Sequence, residues 1–286
     1  MVPMNEGPFD RRVVQRHRTA AAMTRQADFL FSDVADRLAD RLDDITRRFP
    51  VAVELGARHG AFSQALAGKG KTDFLVEADH SSAFARHLAV DEERLPFAPS
   101  SLDAVISNLA LHWVNDLVGT LIQVRMALKP DGLLLAALLG GETLVELRHA
   151  LAESEIAITG GLSPRLSPMV DVRDAGALLQ RAGFALPVVD TDRITVTYPD
   201  AFALMRDLRA MGESNALADR PRTFSRRDVF LHAASLYHDR HADQEMRIPA
   251  TFDIIYMTAW APDTSQQQPL TPGSGNISLT RVLQDP

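Results

Sequence analysis

A chain of 286 residues, 46% hydrophobic and 23% charged, is long enough to bury a full core without cross-links. Cysteine is absent, which excludes disulfides, thiolate metal sites and a thiol nucleophile. The 30 Lys and Arg against 37 Asp and Glu leave a net charge of −7, which argues against a broad phosphate-backbone interface, so no nucleic-acid partner is expected.

Met1–Asp10 has no apolar signal core, and Glu6 and Asp10 argue against a transit peptide. The longest apolar run, Leu133–Leu139, falls far short of the ~20 residues of a membrane span. A cytoplasmic or equivalent soluble setting without stable membrane insertion is expected. Phe29, Leu30, Val34, Leu38 and Leu42 recur at helical spacing and predict one helix over Val13–Arg48. The cluster Arg11, Arg12, Arg16, His17 and Arg18 at its start reads as a solvated helix face.

Pro50 stops that helix, and Val51–Leu55 reads as a short buried strand. Alternation follows: a helix over Ala61–Ala67, a strand over Asp73–Ala78, a helix over Ser81–Leu88 and a strand over Leu102–Leu109. Leu117–Leu128 is an amphipathic helix, and Lys129–Gly132 turns the chain into the strand Leu133–Leu138. Only Ala89 and Val90 separate Leu88 from Asp91, so the third strand of the series is missing or vestigial. Alternating strands and helices predict an α/β fold, a Rossmann-like doubly wound sheet. Helices are expected over Thr143–Glu155 and Val172–Ala182, and strands over Val188–Tyr198 and Phe252–Trp260. The expected organisation is an N-terminal helical segment (1–50), a main domain (51–262) with a helical insertion at 199–245, and a polar, loosely ordered tail (263–286).

The sequence Glu54-Leu55-Gly56-Ala57-Arg58-His59-Gly60 sits between strand and helix, where an α/β sheet places its ligand loop. Gly56 and Gly60 permit close backbone approach, and the following helix offers free N–H groups to a carboxylate. Asp79 ends the next strand nineteen residues after Gly60, placed for ribose hydroxyls. Asp91 and Glu92 precede Leu95-Pro96-Phe97, where an acid can accept from an adenine amino group.

This series resembles the cofactor-binding motifs of class I S-adenosylmethionine (SAM) methyltransferases. That resemblance implies SAM as cofactor, with Glu54, Gly56, Arg58, Gly60, Asp79, Asp91 and Glu92 as its contacts. Arg58 stands where the family loop has its middle glycine, and its side chain is expected to swing outward, to displace the ligand, or instead to make a charge-assisted contact with the SAM carboxylate. Phe9-Asp10-Arg11, Leu109–Asp116, Gly140–Leu144, Arg181–Phe184, Val189–Asp192 and Met211-Gly212-Glu213-Ser214-Asn215 extend the likeness along nearly the whole chain. Together they resemble the methyltransferase-like assembly factors of respiratory complex I and their bacterial relatives, akin to the malonyl-carrier-protein methyltransferases. That likeness implies a protein or carrier-bound substrate, a complex I subunit among the candidates. The reaction it implies is methylation or arginine hydroxylation, and the alternative is a non-catalytic chaperone with a degraded SAM site.

Methyl transfer needs alignment more than a strict catalytic group. Asn108 and His112, at and just beyond a strand end, are the expected residues at the transfer centre. Gly212–Asn215 reads either as a polar substrate loop or as a helix cap. No metal site is expected, because no histidine follows His241-Ala242-Asp243 to complete a ligand set.

Overall fold

The computed structural model describes residues 7–24 and 27–267. Its strands are β1 (Val51–Leu55), β2 (Phe74–Asp79), β3 (Leu88–Ala89), β4 (Leu102–Asn108), β5 (Leu128–Leu139), β6 (Ala185–Tyr198) and β7 (Ile248–Trp260). They form one sheet in the order β3-β2-β1-β4-β5-β7-β6. Strands β1 to β5 pair in parallel, whereas β7 runs antiparallel to both β5 and β6. The strand order reverses between β1 and β4, and the carboxyl ends there open the crevice in which such sheets bind ligands.

Helices cover both faces. On one side Leu133, Leu135, Ala137 and Leu139 of β5 pack with α2 (Phe29–Asp43), α5 (Val145–Thr159), α7 (Ala201–Met211) and α8 (Arg227–His241). On the other, Leu134, Ala136 and Leu138 meet α4 (Leu117–Ala127) and α6 (Val172–Arg181). A strand buried on both faces reads as an unbroken apolar run, which is why Leu133–Leu139 is one.

The helix expected over Val13–Arg48 is in fact two, α1 (Arg11–Ala21) and α2. Between them Thr24 Oγ1 donates to the Ala21 carbonyl at 3.2 Å, and so claims an acceptor that a continuous helix would use. The helix expected over Ser81–Leu88 is a series of turns. There Asp79 and Ser81 side chains accept the N–H groups of Ser81 and Ala83 at 2.9 and 3.2 Å, local bonds that compete with a helix. Leu88–Ala89 then pairs with Ala78–Asp79, so the third strand survives as two residues. The expected loose tail lies outside the described residues from 268 onward.

The N-terminal segment is fastened to the insertion. Asp10 N–H donates to the Ala216 carbonyl at 2.8 Å, and Ala218 N–H to the Pro8 carbonyl at 2.9 Å. Phe9, Val13, Val14, Trp113 and Leu217 form an apolar cluster of their own, which holds α1 over the ligand end of the sheet. Among the described residues, no helix is long and apolar enough to cross a membrane.

Candidate functional site

Gly56 and Gly60 adopt left-handed conformations, with φ of 81° and 77°. Glycine is required at 56 for space as well: a Cβ there would stand 2.6 Å from Ala110 Cβ. The N–H groups of Gly56 and Ala57 both donate to the Ala78 carbonyl, at 2.9 and 3.1 Å, and tie the loop to the end of β2. Asp79 follows directly and is fully buried. Its Oδ2 accepts from Arg58 N–H at 3.3 Å. The helix after the loop, α3 (Ala61–Ala65), is only five residues long.

Glu54, two residues before Gly56, is fully buried in β1, with neither carboxylate oxygen hydrogen-bonded. Burial pushes its pKa well above the usual range, and the charges of Glu77 and Asp79 push the same way.

The basic cluster of α1 is not a solvated face as a whole. Arg12 and Arg16 are exposed, but Arg18 is 1% exposed and points into the crevice. Its Nη2 lies 2.8 Å from Asp79 Oδ2, and its Nη1 lies 3.8 Å from Glu92 Oε1. Arg11 donates to Asp91 Oδ1 at 2.8 Å and also to Glu92 Oε2. Burial alone lowers the pKa of each arginine, but the facing acids outweigh it and raise both. The signal was present in the sequence: Arg11 and Arg18 are seven residues apart, on the same helix face as the apolar Val14.

The cradle fits a nucleoside ligand in its main-chain shape and in its acids. In this conformation the guanidinium groups of α1 engage those same acids, and Arg18 Nη2 stands 3.3 Å from where a Gly56 Cβ would be. Asp91, Glu92 and His80 also form the one group of potential metal ligands among the described residues, with ligand atoms within 4.8 Å of one another. Arg11 is hydrogen-bonded to both carboxylates there.

Arg58 has φ of 46° and turns its side chain inward, 3% exposed. The guanidinium carbon lies 3.3 Å from the Phe31 ring centroid. Its Nη1 donates to the Met211 carbonyl at 2.7 Å, and its Nη2 to Glu213 Oε1 at 3.0 Å. Burial, followed by repulsion from Arg18, lowers its pKa to about 10, so it stays charged at neutral pH. The other oxygen of Glu213 takes two partners, His112 Nε2 at 3.1 Å and Trp113 Nε1 at 2.8 Å. Burial would raise the Glu213 pKa, but His112, Arg58 and Arg18 together hold it below the usual carboxylate value.

Glu213 thus joins the loop after β1, the turn after β4 and the insertion. The helix-cap reading of Gly212–Asn215 holds, since Gly212 caps α7 with φ of 80°, and the next residue ties Arg58, His112 and Trp113 together. No residue pattern marked Glu213 for this role beyond its place in the Met211–Asn215 segment. Asn108 Nδ2 donates to the Phe31 carbonyl of α2 at 3.0 Å, and its buried Oδ1 is without a hydrogen-bond partner. His112 lines a narrow cavity of about 40 Å³ together with Phe31, Trp113, Thr143 and Glu213, and its buried Nδ1 is without a hydrogen-bond partner.

A Methyltransferase domain family profile matches residues 53–136. The chain is 39% identical over 284 residues to arginine-hydroxylase NDUFAF5 of Danio rerio, covering 95% of this chain and 88% of that protein. It is 36% identical over 281 residues to the malonyl-[acyl-carrier protein] O-methyltransferase of Xylella fastidiosa, covering 93% and 92%. Among solved structures, a candidate methyltransferase of Bacillus halodurans superposes with a TM-score of 0.55 at 12% identity, covering 80% of this chain and 99% of that one. YcgJ of Bacillus subtilis does so with 0.52 at 16% identity, covering 79% and 98%. At such identities these two likenesses bear on the fold alone.

Proposed function

The chain belongs to the methyltransferase-fold family that includes arginine-hydroxylase NDUFAF5 and malonyl-[acyl-carrier protein] O-methyltransferase, and from that premise we propose that it is a SAM-dependent enzyme acting on a protein or carrier-bound substrate, linked to complex I assembly. One observation carries the reading: a left-handed glycine loop at the end of β1 lies beside a fully buried acid at the end of the adjacent parallel strand.

When bound, the cofactor supplies an electrophilic methyl group on a sulfonium. Gly56 and Gly60 would let the backbone approach it, and Asp79 and Glu92 would hold its ribose and adenine, displacing Arg18 and Arg11. On the acceptor side, Glu213 orients His112 through Nε2–H and leaves the unpartnered Nδ1 able to take a proton. Trp113, Phe31 and Thr143 exclude water around it. Asn108 holds α2 through Nδ2 and keeps its Oδ1 unpartnered.

Arginine hydroxylation is the second reading. It is favoured by the relatives named arginine-hydroxylase, at 38–41% identity against 33–36% for the O-methyltransferases. Calorimetric titration with SAM tests the first premise: micromolar binding that disappears in Asp79→Ala is expected. No binding at saturating SAM would leave only an assembly scaffold. Mass spectrometry of the acceptor then separates the chemistries, since a methyl adds about 14 Da and an oxygen about 16 Da.

A further inference from the structure

The insertion has an outer groove that none of the chemistry above uses. Helices α7 and α8 enclose about 480 Å³ between Phe202, Met205, Arg206, Arg209, Arg227 and Leu231. Phe202 and Leu231 are 36% and 49% exposed, so the groove presents apolar surface to solvent. Three arginines flank it, and none of them forms a side-chain hydrogen bond or ion pair with a described residue. The neighbouring acids are engaged elsewhere: Asp228 is paired with Arg226 at 2.5 Å, and Asp207 faces Tyr198. In a chain of net charge −7, three uncompensated cations around an apolar trough form a local reversal of sign.

The groove also leads inward. A second cavity of about 210 Å³ shares Met205, Arg209 and Phe230 with it. That cavity shares Leu166, Glu213 and Asn215 with the narrow cavity at His112. The three cavities therefore lie side by side, from the exposed arginines to the cavity at His112.

We propose that the α7–α8 groove docks an acidic, amphipathic segment of the protein that presents the acceptor group. The apolar face of that segment lies on Phe202, Met205 and Leu231, and its carboxylates meet Arg206, Arg209 and Arg227. The flanking group reaches Glu213 beneath Met205 and Phe230. This inference rests on the Glu213 cavity being the acceptor side.

The test uses a fluorescein-labelled amphipathic helical peptide with leucine on one face and glutamate on the other, against its glutamate-to-lysine counterpart. Fluorescence anisotropy on the full chain should show the glutamate peptide binding at least about tenfold tighter than the lysine peptide, and weakening as salt rises. The charge-reversed variant R206E/R209E/R227E should lose at least about tenfold in affinity while keeping its thermal transition. No binding, equal binding of the two peptides, or equal binding by the variant overturns the proposal. So does salt-sensitive self-association, or attachment to phosphatidylserine vesicles, that the variant abolishes while peptide binding persists; either would assign the arginines to a second copy or to a lipid surface. SAM titration of the same preparations keeps the two readings apart: loss of SAM binding with peptide binding intact refutes the cofactor reading and not the groove.

Discussion

Arg18 and Asp79 form a salt bridge of 2.8 Å with both side chains sealed from water, at 1% and 0% exposure. It joins α1 to the carboxyl end of β2, on the acid that related folds turn toward a ribose. A buried pair of this kind adds little net stability, but the loss of one partner strands the other in a low dielectric.

Arg18→Ala should therefore move two measurements in opposite directions. Thermal stability falls, because Asp79 is left buried without its main partner, at a cost of roughly 3–5 kcal/mol. SAM affinity by calorimetry rises by about tenfold, since the ligand no longer competes with a guanidinium for the same carboxylate. Weaker binding would instead make Arg18 a ligand contact.

Glu54 predicts an unusual pH dependence. In the unfolded chain it ionises near 4.5, whereas burial holds its proton to a higher pH in the fold. The folded state thus binds the extra proton, and this contribution is complete below 4.5 and is lost as pH climbs toward the raised value. Glu54→Gln removes the effect. Its melting temperature should exceed that of the parent by a few degrees at pH 7.5, at about 1.4 kcal/mol per pKa unit, with the gap closing below about pH 4.5. A constant gap from pH 4 to 8 counts against the buried proton.

Arg58 and Glu213 should behave as one unit. Arg58→Met or Glu213→Gln alone leaves a buried charge with fewer partners, and each destabilises the protein in urea titrations. The double variant should lose less than the sum of the singles, by about 1–3 kcal/mol. Additive losses would show that the 3.0 Å contact carries no coupling.

Gly56→Ala tests the cradle. The added methyl meets Ala110 at 2.6 Å, at a φ of 81° that alanine resists. SAM affinity should fall by at least about tenfold, beyond the loss of stability from the strained backbone. An unchanged calorimetric titration would place the ligand elsewhere.

Local periodicity made most of the scaffold legible. The run Leu133–Leu139 and the loop from Glu54 to Gly60 carry their structure in neighbouring residues, and Asp79 falls where that loop requires an acid. The break after Ala21 escaped because only a single hydroxyl bond, from Thr24 to Ala21, marks it in the side chains, and the apolar spacing gives no sign of it. The site itself was harder to read. Arg18 meets Asp79 across 61 residues of sequence, and Arg58 meets Glu213 across 155. Charge pairing at that range leaves no periodic trace, so Arg18 resembled its solvated neighbours Arg12 and Arg16, and the bond from Asn108 Nδ2 to α2 left no trace either.

Helix α1 also sets how quickly a ligand arrives. An open acidic crevice would draw a cationic sulfonium from solution by long-range attraction, but Arg11 and Arg18 cancel that pull while the helix is seated. A ligand that takes the same acids has to displace both guanidinium groups, so its association should be slower than that of an open, electrostatically steered crevice. The backbone bonds between Pro8–Asp10 and Ala216–Ala218 hold the segment that carries those groups in place.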